Sequence, residues 1–368
     1  MSLTEEGYAR PVREAGSPAA PADPAFDGIC PGRTVVSPRP PTSVWHPTMG
    51  PIVTAFAASA SDPEVRFMGS SGGALTALVT WLLESGRATE AVGATASAAE
   101  PGRTVTVTIR TRRDALAAAG SRYGPVSNAA AATLGRPDLV LVGKPCEVSA
   151  VRALAASTKQ TAPILLSFFC AGTPSQLATD SLVAQLAGEQ QPIAMWYRGH
   201  GWPGRFTVTT SDGQTPSLSY NESWGKALGP AAQWRCKICP DGIGESADIV
   251  AADFWQSDEN GYPVFDEGAG ISALLARTPL GAELLQAAVA DRVLEVGPLE
   301  PDALAAIQPY QVQRRRSLAA RLIGARLAGR RVPHYRGFGL WRHLLSDPLG
   351  QLRTGRGTFR RVKTRKAS

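Results

Sequence analysis

The sequence contains no run of about 18 consecutive apolar residues, the length that a helix needs to cross the hydrocarbon core of a bilayer. Its first residues also lack the apolar stretch of a secretory signal peptide. We therefore expect a cytoplasmic protein with no transmembrane segment. Residues 1–44 begin with a Pro- and Ala-rich stretch, and we predict that they form a flexible leader.

Cysteine is scarce, with five residues in a chain of 368. In a reducing compartment so few thiols do not form a disulfide framework. The roles that remain are catalysis, metal binding and filling of the core, and the neighbouring residues have to decide among them. The five residues are Cys30, Cys146, Cys170, Cys236 and Cys239.

Acidic residues are nearly absent from the end of the chain. Residues 314–368 hold 16 Lys and Arg and one acid, Asp347, whereas the preceding part holds 22 basic and 30 acidic residues. An acidic body is not typical of a nucleic-acid-binding domain, although the tail alone could contact an anion. We predict one domain over residues 45–313 and a basic tail, partly helical or disordered. Within the tail, SLAARLIGARLAGRR has the pattern of an amphipathic helix that packs on the body, binds an acidic partner or lies on a membrane surface.

Two consecutive segments have a strand–turn–helix pattern. PDLVLVGKPCEVSAVRALAAS predicts a strand over Leu139–Val142, and APILLSFFCAGTPSQLATDSLVAQLAG predicts another over Ile164–Phe169. Because continuous apolar strands that alternate with helices pair in parallel, we predict an α/β fold with a mixed, partly parallel sheet and flanking helices. A glycine- and aromatic-rich stretch follows, in which RFTVTTSDGQTPSLSY predicts a hairpin in a smaller β-rich region.

Each of these two units places a cysteine where the strand gives way to the helix, at Cys146 and at Cys170. Ligands of open α/β sheets bind at the carboxyl ends of the strands, so both thiols should lie at the same edge of the sheet. Each cysteine alone is weak evidence for a site, because a lone cysteine after a strand is usually a small buried apolar residue.

The motif C-x-x-C-P at residues 236–240 is a stronger signal. Two thiolates at this spacing bind one metal centre from a single tight turn, and the proline fixes the backbone, as in ferredoxin loops. The alternatives are a zinc half-site and a thioredoxin-like redox pair, and the second is disfavoured because the motif does not lie between a strand and a helix. With Cys146 and Cys170 the motif provides four thiolates. That is the usual number for a cubane cluster, although zinc would use the same four.

The first long predicted helix is preceded by GSSGG at residues 69–73. Small residues there allow a phosphate to approach free amides, and the helix dipole favours the anion. A close-packed turn with a serine N-cap, at Ser70 or Ser71, is an equally good interpretation. Further along, Arg122 in SRYGP offers a guanidinium to a phosphate, although such a segment is more often a surface turn.

Four carboxylates follow the C-x-x-C motif and could transfer protons beside a redox centre. More often such residues cap helices or accept hydrogen bonds from the backbone. His200 lies in the glycine-rich stretch YRGHGWPG, which could contact a ligand or form a plain turn. The carboxylates are Asp241, Glu245, Asp248 and Asp253.

Over roughly residues 45–310 the chain resembles the coenzyme F420 hydrogenase/dehydrogenase beta-subunit family. The likeness rests on five segments in the family's order: GSSGGALTALVTWLLESG, GSRYGP, VGKPCEVSAVRAL, SFFCAGTPS and CKICPDGIGESADIVAADFW. The family also includes 7-hydroxymethyl chlorophyll a reductases and ferredoxin-dependent divinyl chlorophyllide reductases. The resemblance implies an FAD and one 4Fe–4S cluster in a single polypeptide, which passes electrons between a one-electron carrier and a two-electron substrate.

The resemblance also implies roles for individual residues. Cys146 matches the cysteine of the family's G-x-P-C turn and Cys170 that of its F-C-x-G-x-P-S turn, while the C-x-x-C-P motif supplies the other two implied cluster ligands, Cys236 and Cys239. The segments that match flavin-associated parts of the family imply four FAD contacts. These contacts are Ser71, Gly72, Gly73 and Arg122.

The chain departs from many relatives near its N-terminus, where they carry a second, ferredoxin-like set of cysteines. Only Cys30 remains here, so we do not expect a second cluster, and use of soluble ferredoxin by the same route is in doubt. Reduction of coenzyme F420 is our leading hypothesis. The alternatives are a reductase of a conjugated small molecule such as a tetrapyrrole, an electron-transfer subunit of a larger complex without its own substrate site, and a zinc-stabilised binding protein.

Overall fold

The computed structural model describes residues 1–12, 16, 25–255, 268–345 and 347–367. Within these residues eight strands form one mixed sheet. The strands are β1 Thr54–Ala60, β2 Glu90–Ala96, β3 Thr104–Ile109, β4 Leu139–Gly143, β5 Ile164–Phe168, β6 Ile249–Asp253, β7 Ser272–Ala276 and β8 Leu294–Pro298. Their order across the sheet is β8-β1-β7-β6-β5-β4-β2-β3.

The central strands β2, β4, β5 and β6 run parallel to one another, and every other pair of neighbouring strands in the sheet is antiparallel. The apolar residues of β4 and β5 are buried because helices cover both faces of the sheet, as is typical of parallel strands. The predicted mixed α/β fold with flanking helices is therefore confirmed, and β4 pairs with β5 in parallel as expected.

Helices on the two faces belong to two separate apolar cores. The first core includes residues of α1 and α4, and the second includes residues of α2. In the described part of the chain no helix combines the length and the apolar character needed to cross a membrane. The longer helices are α1 Ala74–Glu84, α2 Pro145–Thr158, α3 Gln176–Ala187, α4 Pro279–Ala290, α5 Pro309–Leu327 and α6 Pro348–Ala367. The shorter helical segments are Phe26–Ile29, Pro63–Met68, Arg112–Ala117, Asn128–Ala131, Asn221–Leu228, Trp234–Lys237, Pro301–Ala306 and Leu340–His343.

A smaller antiparallel sheet is separate from the eight-stranded sheet, and two of its strands form the predicted hairpin, which is thereby confirmed. Phe206 and Val208 of its middle strand are buried against Leu182 of α3, which fixes the sheet to the body. Its strands are Pro192–Trp196, Phe206–Thr210 and Ser217–Leu218. Three further strand pairs are Ser2–Leu3 with Ala9–Arg10, Val44–His46 with Gly50–Ile52, and Thr34–Val36 with His334–Arg336.

The predicted domain boundary at residue 313 falls inside α5, which continues without a break. Leu318 and Leu322 of this helix are buried with Ile238 in an apolar cluster, so the start of the tail is part of the body. Helix α6 packs on α5, where Gly324 and Gly355 are in contact. The tail therefore consists of the second part of α5 and of α6, joined by a segment that includes the strand His334–Arg336.

The predicted leader, residues 1–44, contains strand pairing that could not be predicted from the local sequence. Its strand Thr34–Val36 pairs in parallel with His334–Arg336 from the far end of the chain. Residues 13–15 and 17–24 of the leader lie outside the described residues.

Candidate functional site

A cavity of about 620 Å³ lies where the parallel strands end. This volume falls within the range of ordinary ligand and cofactor pockets, and such pockets are expected at the carboxyl ends of strands in an α/β sheet. Its wall includes the ends of β5 and β6, the GSSGG turn before α1, the SRYG segment, and the first residues of α5.

The GSSGG turn is held tightly against β7. Gly73 has a left-handed backbone, with φ of +70°, and begins α1 without a side-chain cap, so the predicted serine N-cap is wrong. The Gly72 N–H donates to Ser272 Oγ at 3.0 Å, and Ser71 Oγ donates to the carbonyl of Ile271 at 2.7 Å. Ser71 and Gly73 line the cavity, and the N-terminus of α1 therefore opens into it.

Arg122 also lines the cavity, but its guanidinium is already bonded within the protein. It donates to the carbonyls of Pro101, Arg103 and Met195 at 2.9 to 3.1 Å, and more weakly to Thr104 Oγ1 at 3.3 Å. Burial lowers the pKa of this side chain. Arg122 thus ties the SRYG segment to its surroundings, and its implied contact with FAD stays a prediction.

Arg198 is a cavity residue that the sequence reasoning missed. Its Nη1 donates to Asp253 Oδ2 at 2.6 Å and its Nη2 to the carbonyl of Ser70 at 2.5 Å. The guanidinium lies 5.2 Å from the ring centre of Trp202 and 5.3 Å from that of Tyr220, and only 5% of the side chain is exposed. A buried ion pair therefore joins the end of β6 to the GSSGG turn. The aromatic and glycine residues around Arg198 were the available signal.

The cysteines come from three segments that meet at one edge of the sheet. Cys146 lies in the first turn of α2 and Cys170 follows β5, so their positions after adjacent parallel strands agree with the prediction. The C-x-x-C turn is closed by a hydrogen bond from the Cys239 N–H to the Cys236 carbonyl at 3.2 Å. The Thr173 N–H points to Cys236 Sγ at 3.4 Å, which joins this turn to the segment after Cys170.

The thiols are close enough to influence one another's ionisation. Burial raises the pKa of Cys170 to about 12, and negative charge at Cys236 and at Cys239 also raises it. The pKa of Cys146 is also raised, and negative charge at Glu147, Cys170 and Cys236 contributes to the rise, while the residue itself is exposed. Among the described residues, no group of three or more Cys, His, Asp or Glu side chains is placed to hold a metal ion.

Three cationic side chains surround the thiols. The Lys144 ammonium opposes the rise in the pKa of Cys146. Arg314 donates to the carbonyl of Cys170 at 3.2 Å. Sequence reasoning missed these residues, although two of the three stand one or two positions before a cysteine. The three side chains are Lys144, Arg235 and Arg314.

A buried ionic network lies behind the C-x-x-C turn. Glu245 is fully buried and accepts hydrogen bonds from the guanidinium of Arg315 and the hydroxyl of Ser37. Burial, and then the Glu245 charge, raise the pKa of Asp241 to about 6. Arg277, also fully buried, donates to backbone carbonyls such as that of Ile243 at 2.8 Å. This network fixes the loop that follows the two cysteines.

The four carboxylates considered for proton transfer therefore differ in position. Asp241 and Glu245 belong to the buried network, and Asp248 accepts hydrogen bonds from the Leu165 N–H and from Arg152, each at 2.9 Å. Their role matches the structural interpretation of such acids. Asp253 lines the cavity and pairs with Arg198, so it is the carboxylate placed to affect a bound ligand. His200 is exposed and stacks on Trp196 with ring centres 4.4 Å apart.

The Cys30 segment lies beside the cysteine site. Arg235, which precedes Cys236, donates to the carbonyl of Pro31 at 2.5 Å, and the short helix Phe26–Ile29 contacts α2. This long-range contact has no local signal in the sequence.

The types of residue present suit the two implied cofactors, although the described thiols are not gathered into one ligand group. Four thiols with cationic neighbours suit an anionic iron–sulfur cluster, and a largely apolar cavity at a helix N-terminus suits a flavin with its phosphates. Cys170 lines the same cavity as the GSSGG turn and Arg198. A group held by the thiols and a group held in the cavity would therefore be neighbours.

The sequence matches known families over most of its length. Two family models match, and both describe the beta subunit of coenzyme F420 hydrogenase/dehydrogenase. The model of the N-terminal part matches residues 55–132, and the model of the C-terminal part matches residues 137–302. The chain is 26% identical, over 268 residues, to the coenzyme F420 hydrogenase subunit beta of Methanosarcina barkeri. That alignment covers 70% of this chain and 86% of the relative.

A solved structure supports the fold. A chain of the F420-reducing NiFe hydrogenase complex from Methanosarcina barkeri, in a xenon-derivatised crystal, matches with a TM-score of 0.56 at 24% identity. The match covers 74% of this chain and 92% of that chain. These relatives are subunits of an oxidoreductase complex. Cys146 and the three later cysteines all fall within the second matched range, and the chain belongs to the coenzyme F420 hydrogenase/dehydrogenase beta-subunit family.

Proposed function

We propose that this protein is a cytoplasmic flavin and iron–sulfur oxidoreductase that passes electrons between a one-electron carrier and a two-electron substrate such as coenzyme F420. The proposal rests on one observation: Cys170, one of the four proposed ligands, and the GSSGG turn line the same cavity. When bound, FAD would exchange electrons in pairs and a 4Fe–4S cluster would exchange them singly.

The chain's own residues would hold these groups and set their surroundings. Cys146, Cys170, Cys236 and Cys239 would ligate the cluster, and the three cations around them would offset its negative charge. Ser71 and the amides at the start of α1 favour a flavin phosphate, because the N-terminus of a helix attracts anions.

Arg198 and Asp253 would hold the GSSGG turn in place at the cavity wall. Because their pairing fixes the GSSGG turn, the turn keeps its shape when a ligand enters. Since Arg198 and Asp253 both line the cavity and pair with each other, they present an oriented dipole there and not an isolated charge. The aromatic side chains that line the cavity exclude water from the same region.

A second candidate is an electron-transfer subunit without a substrate site of its own. The match to one chain of a hydrogenase complex favours it, since that relative works within a larger assembly. Turnover separates the two candidates: flavin-loaded protein should oxidise reduced F420 with an artificial electron acceptor, or reduce a tetrapyrrole-like substrate. Complete inactivity of the loaded protein with every such substrate would favour the electron-transfer role.

Cofactor content tests the proposal directly. Anaerobically purified protein should be brown, with broad absorbance near ~400 nm, about four irons per chain and bound flavin. We expect Cys146→Ser and Cys239→Ser each to remove the cluster, whereas the matched control Cys30→Ser keeps its iron. Colourless protein with stoichiometric zinc, or full iron in Cys146→Ser, would contradict the four-cysteine site.

A further inference from the structure

Four large apolar side chains are exposed just before α6 and in its first turns, and we call them the apolar patch. They all come from residues 341–352 and are 59 to 86% exposed. Gln351 donates to the carbonyl of His343 at 3.3 Å and to that of Arg316 at 2.9 Å, so residues near both ends of the patch are held at one place on α5. Single exposed apolar residues are ordinary, whereas a contiguous group marks a binding surface. The patch consists of Trp341, Leu345, Leu349 and Leu352.

Basic residues continue the apolar patch along α6. Residues three, four, seven and eleven positions apart share one side of an α-helix. Counted from Leu349, these positions are all exposed and are occupied by Leu352, Arg353, Arg356 and Arg360. The opposite side of the helix, at Thr358 and Val362, is buried. The outward side of α6 is therefore apolar at its start and basic beyond it, and we call its three arginines the basic stripe.

Helix α5 adds apolar area beside the basic stripe. The two helices run parallel, because Gly355 of α6 lies against Gly324, further along α5 than Arg316. Ile323, next to Gly324 in the chain, therefore lies beside the part of α6 that carries the stripe. Ile323 and Leu327 are both exposed, and they stand seven and eleven positions after Arg316, on the same side of α5 as this exposed arginine.

The charge of this surface is not balanced within the described part of the chain. No salt bridge there involves Arg316 or a member of the basic stripe. The carboxylate of Asp347 accepts a hydrogen bond from the Gly350 N–H at 3.0 Å, so it is bonded to the first turn of α6. A second copy of the chain would bring the same positive charge to the surface, and like charges oppose such self-association. The stripe therefore points to an anionic partner.

The apolar patch favours a lipid surface over an acidic protein. Leu345 is the most exposed of its members, so its side chain protrudes and contacts little of its own protein. A protein partner would need a pocket shaped to receive four such side chains, whereas lipid acyl chains rearrange around them. Trp341 suits the boundary between water and lipid, because indole combines an apolar ring with a polar N–H. Arginine side chains likewise place their apolar stems on such a surface and their charge on phosphates.

We propose that the apolar patch and the basic stripe together bind the surface of an anionic membrane. The four apolar side chains enter the outer part of the acyl layer, and the arginines contact the lipid phosphates. Burial of apolar area and attraction to anionic headgroups add to each other when a protein lies on a membrane in this way. Neither the cavity nor the four thiols take part, so the binding requires no flavin and no cluster.

The test is cosedimentation of the full chain with vesicles of equal parts phosphatidylglycerol and phosphatidylcholine, at low and at moderate salt. The wild type should bind these vesicles more tightly than vesicles of phosphatidylcholine alone, and its affinity should fall as salt rises. Leu345→Ser/Leu349→Ser removes apolar burial and Arg356→Gln/Arg360→Gln removes attraction to the headgroups. Each double substitution should weaken binding on the order of tenfold.

Matched controls make the same changes at exposed side chains of the body and should bind like the wild type. They are Leu177→Ser/Leu280→Ser and Arg87→Gln/Arg113→Gln. Trp341 gives a second measurement that does not depend on loss of binding. Lipids brominated on the outer part of the acyl chains should quench part of the tryptophan fluorescence of the bound wild type. Trp341→Phe should still bind, because it keeps an apolar ring, but should lose this quenching.

A wild type that does not bind the mixed vesicles at low salt would overturn the proposal, and so would quenching that persists in Trp341→Phe. Equal losses in the controls would mean general attraction of a basic protein to anionic lipid and would overturn it as well. Loss of binding in the arginine variant alone would assign the surface to an acidic macromolecule without lipid insertion. A lipid-free dimer that Leu345→Ser/Leu349→Ser dissociates would assign the apolar patch to a second copy of the chain, against the proposal.

Discussion

Glu245→Gln tests the buried network that supports the C-x-x-C turn. Glutamine has nearly the same shape as glutamate, so the substitution removes a charge without opening a cavity. It leaves the Arg315 guanidinium, with 3% of its side chain exposed, and the fully buried Arg277 without their main counter-charge. Removing one partner of a buried ion pair costs roughly 3–5 kcal/mol of unfolding free energy.

The network itself reduces this cost. The Glu245 charge is one cause of the raised pKa of Asp241, so Asp241 ionises more readily once that charge is gone. We therefore expect a loss near the lower limit, about 3 kcal/mol, which is a large share of the roughly 5–15 kcal/mol that holds a typical protein folded. Arg315→Met combined with Glu245→Gln should recover part of the loss, because neither charge is then left without its partner.

Equilibrium unfolding in urea, followed by tryptophan fluorescence, measures the effect. Glu295→Gln is the matched control, since that carboxylate is 68% exposed and lies 3.8 Å from Arg66. Exposed pairs of this kind contribute about 0–1 kcal/mol, so the control should unfold nearly as the wild type does. A decrease of less than about 1 kcal/mol in the free energy of unfolding of Glu245→Gln would contradict the inference that this network stabilises the loop after the C-x-x-C motif.

Three further substitutions probe the cavity and the tail. In Gly72→Ala the new Cβ would lie 2.6 Å from a carbonyl oxygen of β1, so we expect the free energy of unfolding to fall by about 1–3 kcal/mol and less flavin to be bound. The control Gly102→Ala places its Cβ in open space and should leave the stability measured by the same urea assay unchanged. Gly324→Ala places its Cβ against the α6 backbone and should release α6 to limited proteolysis, whereas the control Gly357→Ala meets a flexible side chain and should stay resistant. In Arg198→Lys the side chain can no longer bond both Asp253 and the Ser70 carbonyl, so we expect flavin binding to weaken on the order of tenfold in a fluorescence titration. Unchanged affinity would contradict the positioning role of Arg198.

Local patterns predicted the parts of the fold that local forces decide. The apolar runs that became β4 and β5 required burial on both faces, and their cysteines could only emerge at the edge where strands end. The C-x-x-C turn was likewise recognisable because its two thiols are close in sequence. The hairpin in the smaller sheet followed from its β-formers and central turn.

Contacts between segments that are distant in the chain could not be predicted from the sequence. Arg122 and Arg198 look alike as isolated arginines, yet one bonds three backbone carbonyls and the other joins Asp253 to the turn before α1. Which carbonyls lie within reach depends on how distant segments fold over one another. Charge counting separated the tail at residue 313, but burial of Leu318 against Ile238 decided that α5 belongs to the body.

The dependence of the thiol edge on α5 has a consequence for how the protein matures. A chain that has left the ribosome only as far as the C-x-x-C turn already has all four thiols. It still lacks Arg314 and Arg315, which hold the carbonyls of Cys170 and Pro240. If the four thiols hold a cluster as proposed, we expect its insertion to be late, after the final third of the chain has been synthesised, because a truncation before α5 would leave the proposed ligands without these contacts.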